Sequence, residues 1–267
     1  MTGTPVFMGI VNASGDSFSE GEASGSGSAV SRAQEMLDHG FRLLDLGAES
    51  TRPGAEAVDP ELEQSRLLPV VKTLRRKYPD AVLSIDTRNA ATAEAALRAG
   101  SDWINDVSML RHDPAMIECA AKHQATLVLC HSRGTPQNMC DAGYHDYGSD
   151  ICQTVMTELH EAAEQAISGG IAPGKIIYDP GFGFGKTPEQ QLTMLRELKR
   201  FKSLGRLLIG VSRKSFLGRL CQEPDPAKRK SATLAAELWA IKEGAEIIRT
   251  HEPAALRQAW MVYRSLQ

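Results

Sequence analysis

Between residues 179 and 186 the chain reads Asp179-Pro180-Gly181-Phe182-Gly183-Phe184-Gly185-Lys186, a carboxylate followed by three glycines that alternate with two phenylalanines. An apolar stretch with the character of a buried strand, Lys175-Ile176-Ile177-Tyr178, precedes it. Thr187-Pro188-Glu189-Gln190, a helix start, follows it. Glycine lets a backbone approach a ligand closely, phenylalanine offers a flat apolar wall, and a carboxylate offers two acceptors to N–H donors. That composition suits a pocket for a flat, hydrogen-bonding heterocycle.

Similar groups recur where other apolar runs end. In order they are Asn12 with Asp16, Ser17 and Phe18; Glu49 through Gly54 after the in-strand Asp45; Asp86-Thr87; Asn105-Asp106; His131-Ser132; Asp179; Ser212-Arg213-Lys214-Ser215; and Arg249-Thr250-His251. They sort by chemistry. Asp86, Asn105 and Asp179 are acceptors for the amino and ring N–H groups of a heterocycle, and Lys214 adds a cationic donor for a ring carbonyl or nitrogen. Arg52, Arg249 and His251 form a second, cationic set suited to a phosphate-like anion. Residues 212–220 are expected to form a short helix whose N-terminal N–H groups add to the anion site. Taken singly, several have ordinary structural explanations. Asp45 is as readily a satisfied buried acid, His131 a loop-orienting residue, and Phe182 and Phe184 plain core.

The elements that must position these groups alternate regularly. Strand-like runs fall at 6–11, 42–47, 82–85, 103–105, 126–130, 175–178, 207–211 and 246–249. Helical periodicity fills 29–39, 62–78, 92–99, 116–123, 151–168, 190–202, 231–243 and 254–266. Gly40, Gly100, Gly170 and Gly244 stand where helices should stop and reverse. Eight β-then-α units in 267 residues predict a closed parallel (β/α)8 TIM barrel, one α/β domain over residues 1–267. An open doubly wound sheet would not usually need eight strands of similar weight, and no Gly-x-Gly-x-x-Gly follows the first strand. In a barrel, loops after the strands gather on one rim, so all these polar groups would face one site. The serine- and glycine-rich stretch 19–28 is expected to be a mobile loop over that rim.

Composition narrows the classes. A net charge of −3 argues against a general nucleic-acid binder, so an anion site must be a local basic cluster. Cys119, Cys130, Cys140, Cys152 and Cys221 are odd in number and contain no Cys-x-x-Cys, which points to reduced thiols rather than disulfides or zinc. No apolar run approaches the roughly 20 residues of a membrane helix. The N-terminus lacks the pattern of a signal peptide, so a soluble cytoplasmic protein is expected.

The motifs together resemble the dihydropteroate synthase family over nearly the whole chain. The resemblance rests on Gly9 to Asn12 with Asp16 to Ser19, Glu49 to Gly54, Ser84 to Thr87, Ile104 to Val107, His131 with Gly134-Thr135-Pro136, the 179–186 run, Ser212 to Phe216, and Arg249 to His251. Any one is weak; eight in order are specific. The resemblance implies a transferase that joins 4-aminobenzoate to a pterin bearing a CH2–O–diphosphate group, releasing pyrophosphate and giving 7,8-dihydropteroate. It implies that Asp86, Asn105, Asp179 and Lys214 hold the pterin, with Asp86, Asp179 and Lys214 at the reacting centre. Arg249 would lie against the ring and reach the diphosphate; Arg52 and His251 would bind phosphate oxygens; Asn12 would help ligate Mg2+. Thr51, Pro53, Phe184 and Ser212 would shape the aminobenzoate pocket, while Asp16 and Phe18 would ride on a closing loop.

One departure matters. The family's usual first loop has Thr-Pro before the Asp-Ser-Phe triplet, where this chain has Ser14-Gly15. Proline fixes φ and glycine frees it, so a more mobile first loop is expected. A pterin-dependent methyltransferase domain and a non-catalytic pterin-binding paralogue stay open as alternatives. The family resemblance also implies a homodimer, for which the apolar face of residues 232–241 could serve, although core packing explains that stripe equally well.

Overall fold

Eight parallel strands follow one another around a barrel in the computed structural model, which describes residues 4–13, 26–49, 54–55 and 58–266. The strands are β1 (Val6–Asn12), β2 (Leu43–Gly47), β3 (Val82–Asp86), β4 (Trp103–Asp106), β5 (Thr126–Cys130), β6 (Ile176–Asp179), β7 (Leu208–Ile209) and β8 (Ile247–Thr250). β1 pairs with both β2 and β8, and each later strand pairs with its predecessor as far as β6. β7 pairs with β8, and a parallel bridge between Tyr178 and Leu207 joins β6 to the start of β7, completing the ring. The expected TIM barrel is the observed fold.

Strand parity decides what lines the barrel. Side chains alternate faces along a strand. One set, Met8, Leu43, Val128, Ile177, Leu208 and Ile247, packs together as an interior plug. Residues of the opposite parity, such as Leu44, Leu46, Leu83, Ile85, Leu127 and Leu129, belong instead to the layer between strands and helices. Two residues beyond the plug, on the same parity, stand Asp45, Asn105 and Asp179. The same alternation that buries an apolar floor thus places polar side chains inside the C-terminal half of the barrel.

The helices are α1 (Ser26–Asp38), α2 (Pro60–Lys77), α3 (Ala90–Arg98), α4 (Met116–Lys122), α5 (Ile151–Ser168), α6 (Pro188–Arg196), α7 (Ser215–Cys221), α8 (Lys230–Lys242) and α9 (Pro253–Ser265). Gly40, Gly100, Gly170 and Gly244 take φ between +85° and +108°, the left-handed reversal expected of them. α6 starts at Pro188, two residues earlier than its periodicity suggests, because Thr187 and Gln190 form a reciprocal capping box. It also stops at Arg196, and residues Leu198–Ser203 continue as a 3-10 helix. Leu198 and Phe201, three apart and both fully buried, eclipse one another in that tighter winding and face the core together.

Three further expectations shift. The flexible stretch 19–28 is part helix, since Ser26–Asp38 is α1; the rest of it lies outside the described residues. β7 spans two residues rather than five, and Gly210 beyond it lies beside the Arg249 and Asp179 side chains. The helix expected from residue 212 begins at Ser215: Arg213 takes φ +60° and Lys214 is extended, so the backbone has not yet turned helical there.

Candidate active site

Parallel register brings Asp86 of β3 opposite Gly47 of β2 on one side and Asn105 of β4 on the other. A Cβ at Gly47 would stand in ordinary contact with Asp86, 3.4 Å from its Cβ. Beneath them Asp45 is fully buried on β2. Its Oδ2 accepts from Asn105 Nδ2 at 2.9 Å and from Arg249 Nε at 2.6 Å. Arg249 Nη2 donates in turn to Asp86 Oδ2, also at 2.6 Å. Four side chains from β2, β3, β4 and β8 therefore share one charge-assisted network on the interior wall. Arg249 is the bridge, and its side chain is 20% exposed.

Burial dominates the electrostatics of this wall. It raises the Asp86 carboxyl well above its usual range; Arg249 pulls it back, while Asp45, Glu63 and Glu49 push it further up. Burial alone would weaken the Arg249 cation, but Asp45 and Asp86 more than compensate. Two acceptors remain unanswered: Asp45 Oδ1 and Asn105 Oδ1 are buried with no hydrogen-bond partner in the protein. A buried acceptor without a donor costs free energy unless a ligand supplies one. Because the Asn105 amide nitrogen is committed to Asp45, its oxygen is the atom left to receive a ligand N–H.

The opposite wall is the 179–186 loop. Asp179 ends β6 almost fully buried, and the Gly181 N–H donates to its Oδ1 at 2.8 Å. Burial raises the Asp179 carboxyl, against the Gly181 N–H, Lys214, Arg249 and Lys186. Lys214 extends across the loop with Nζ 4.3 Å from the Phe184 ring centroid. A Cβ on Gly183 would come within 3.2 Å of its Nζ, so glycine makes the channel through which the lysine passes. Burial lowers the Lys214 ammonium, and no carboxylate lies within ion-pair reach among the described residues. Asp86, Asn105, Asp179 and Lys214, the four residues expected to meet a heterocycle, thus come together at one end of the barrel: Asp86 pairs in register with Asn105, and Lys214 acts electrostatically on both Asp179 and Asp86. The two phenylalanines part company. Phe184 is half-buried beside Lys214, whereas Phe182 is 1% exposed and stacks on Phe216 in the core, so only one of them can wall a ligand.

At the rim, β7 and β8 loops meet through Ser212 and His251. The His251 N–H donates to Ser212 Oγ at 3.2 Å, and His251 Nδ1 lies 2.9 Å from the same oxygen. Arg249, expected with Arg52 and His251 in an anion site, is held by Asp45 and Asp86 in this structure. Asn12 is exposed at the end of β1. Asp16, Phe18, Thr51, Arg52 and Pro53 lie outside the described residues. The segments flanking 50–53 are nonetheless well anchored: Glu49 pairs with Arg88 at 2.7 Å, and the Gly54 N–H donates to the Pro136 carbonyl at 2.7 Å.

Three site features escaped the sequence. Asp45 reads equally as a plain buried acid in the sequence; the fold makes it the acceptor that orients both Asn105 and Arg249. Asp106, beside Asn105, has the outward parity and accepts from Ser108 and Leu110 N–H groups, shaping a turn with left-handed Met109 and Leu110. Lys186 is 6% exposed and His131 fully buried; the two are 2.9 Å apart although 55 residues separate them. The loop-orienting reading of His131 agrees with that placement. All five cysteines are free thiols, as expected.

Comparison with known proteins agrees with this geometry. A family model described as pterin binding enzyme matches residues 8–251. A dihydropteroate synthase of Synechocystis is 41% identical over 261 residues, covering 97% of this chain and 89% of that relative. A Xanthomonas albilineans dihydropteroate synthase solved with 4-aminobenzoic acid superposes with a TM-score of 0.91 at 36% identity, covering 99% of this chain and 94% of that one. The same organism's enzyme in complex with 7,8-dihydropteroate gives a TM-score of 0.88 at 33% identity, with 99% and 94% coverage. This chain belongs to the pterin-binding enzyme family, among its dihydropteroate synthases.

Proposed function

We infer that this protein is a dihydropteroate synthase. It joins 6-hydroxymethyl-7,8-dihydropterin diphosphate to 4-aminobenzoate, giving 7,8-dihydropteroate and pyrophosphate. The observation that carries this reading is the convergence of Asp86, Asn105, Asp179 and Lys214, with Asn105 Oδ1 buried and unanswered. Related structures solved with 4-aminobenzoic acid and with 7,8-dihydropteroate support the same substrates.

The chemistry follows from opposite charges that must be stabilised together. The methylene C–O bond breaks and its electron pair leaves with pyrophosphate. The amine nitrogen of 4-aminobenzoate forms the new C–N bond and sheds a proton to solvent. Asp86, Asn105 and Asp179 accept from the amino and ring N–H groups of the pterin and favour its electron-poor form; Lys214 donates to a ring carbonyl or nitrogen. Arg249, oriented by Asp45, lies at the edge of the ring. Ser212 and His251, joined across the last two loops, present donors to the rim together with Arg52. Thr51, Pro53, Phe184 and Ser212 border the aminobenzoate. Closure of the first loop, carrying Asp16 and Phe18, keeps water from capturing the activated carbon.

Mg2+ fits this proposal as a companion of the diphosphate. Asn12 offers a neutral amide oxygen at the exposed end of β1, a hard donor of the kind Mg2+ takes beside phosphate oxygens. Among the described residues the one group of three acidic or thiol ligands, Asp150, Cys152 and Glu197, is elsewhere, and Asp150 and Glu197 are engaged by Arg200. When bound, the ion would neutralise charge on the departing pyrophosphate. The proposal extends to a homodimer and a cytoplasmic location. No described helix is long and apolar enough to cross a membrane. Along α8, Ala236, Ala240 and Ile241 belong to the core, while Leu234 and Leu238 are half-buried and Trp239 is exposed, which leaves apolar surface for a dimer contact.

Incubating the purified protein with the pterin diphosphate, Mg2+ and 4-aminobenzoate should release pyrophosphate and form dihydropteroate. Pterin binding with no turnover would instead favour a non-catalytic paralogue. Sedimentation at micromolar concentration tests the dimer.

A further inference from the structure

Lys186 is buried as few lysines are, and nothing in the proposed reaction uses it. Its Nζ lies 2.9 Å from the Gly181 carbonyl, 3.1 Å from the Phe184 carbonyl, 3.3 Å from the His131 carbonyl and 2.9 Å from His131 Nδ1. The two loop carbonyls belong to the residue whose N–H fixes Asp179 and to the residue whose ring meets Lys214. His131 Nε2 lies 3.1 Å from Glu158 Oε2, and Arg111 and Arg133 hold the same carboxylate. A carboxylate only accepts, so Nε2 carries the ring proton and Nδ1 turns its lone pair to Lys186. Burial keeps that ring neutral, down at about 3.

We propose that Lys186 is a positioning residue of the pterin site, an internal clamp that holds the 179–186 loop shut on His131 and so sets the direction of the Asp179 carboxylate and the Phe184 ring. Two further contacts fit the clamp. Gly181 has φ +71° and its missing Cβ would collide with the His131 carbonyl. The Tyr147 hydroxyl donates to the Gly185 carbonyl at 3.0 Å, binding the far end of the loop to the same region. A glycine-rich loop loses much conformational entropy when ordered, and three carbonyls gathered on one amine supply a local reason for it to stay ordered before substrate arrives. Lys186 acts through Asp179 and Phe184 and touches no substrate.

This inference rests on the synthase reading, and the test separates the two. Lys186→Met keeps the aliphatic stem and removes every donor. In the folded variant, pterin diphosphate affinity, measured by equilibrium titration, should fall at least tenfold, and KM for the pterin should rise by a similar factor with kcat changed less. Combined with Asp179→Asn, the second substitution should add little, because both act on the same acceptor. Lys186→Gln, which retains an N–H donor, should recover part of the loss. Wild-type turnover together with unchanged pterin affinity in folded Lys186→Met, or full additivity with Asp179→Asn, would overturn the clamp alone. Failure of both Lys186 variants to fold would also overturn it, by making the lysine a requirement of the fold rather than of the site. A wild-type chain that neither binds pterin nor releases pyrophosphate would remove the synthase reading and the clamp with it.

Discussion

Arg249 and Asp45, 204 residues apart, form an ion pair of 2.6 Å inside the barrel, and that pair decides where the guanidinium of the last strand points. Without Asp45 the arginine would be free to turn toward the rim. With it, Arg249 is held against Asp86, and the Asn105 amide nitrogen is engaged by Asp45, which leaves the Asn105 oxygen buried without a donor. Asp45→Ala should therefore weaken the fold as well as the site. Removing one partner of a buried, hydrogen-bonded charge network costs about 3 kcal/mol or more. Urea unfolding should register that loss, and an unchanged midpoint would show that Asp86 alone satisfies Arg249.

Lys214 has a different role and should show a different signature. Its ammonium rests on the Phe184 ring with no carboxylate partner in reach, so the fold asks little of it. Lys214→Ala should leave thermal stability within a few degrees and weaken pterin binding by an order of magnitude or more, since a charged donor to a buried ligand is worth about 1.5–3 kcal/mol. Near-normal affinity in a fluorescence titration would take Lys214 out of the site.

Glu237 on α8 provides a pH test unconnected with substrate. It is fully buried, and burial raises its carboxyl from an ordinary 4.5 to about 8, opposed by the Thr250 hydroxyl. The folded protein therefore holds a proton that the unfolded chain has released. Its contribution to stability is complete below about 4.5 and is lost as pH rises toward about 8. Glu237→Gln cannot ionise. Its stability relative to wild type should rise across that window by about 1 kcal/mol per pH unit and level off above it. A difference that stays flat with pH in denaturant titrations would mean that Glu237 is ionised in the fold.

Gly181 should tolerate no side chain. Its φ of +71° strains any L-residue, and the His131 carbonyl occupies the space of a Cβ. Gly181→Ala should cost more than about 2 kcal/mol, because incompatible backbone and steric overlap add. The same variant should lose pterin affinity, since the Gly181 N–H is what fixes Asp179. Retention of both properties would mean that the loop has an alternative course.

Much of this protein was legible before any coordinates. Eight apolar runs of similar weight spaced by amphipathic helices point to a barrel, and the loops after its strands gather Asp86, Asn105 and Asp179 on one rim. The reversing glycines mark helix ends because their conformation is a local property. What the chain order cannot carry is the meeting of distant side chains. Phe182 and Phe184 sit in the same motif, yet one packs on Phe216 and the other faces Lys214. Lys186 closes the 179–186 run in the sequence, and only the fold buries it on His131. The sharing of Arg249 between Asp45 and Asp86 exists only in the closed barrel. Local propensity and periodicity are short-range and are written in the sequence itself; burial, and the partner each buried charge must then find, are set only when the barrel closes.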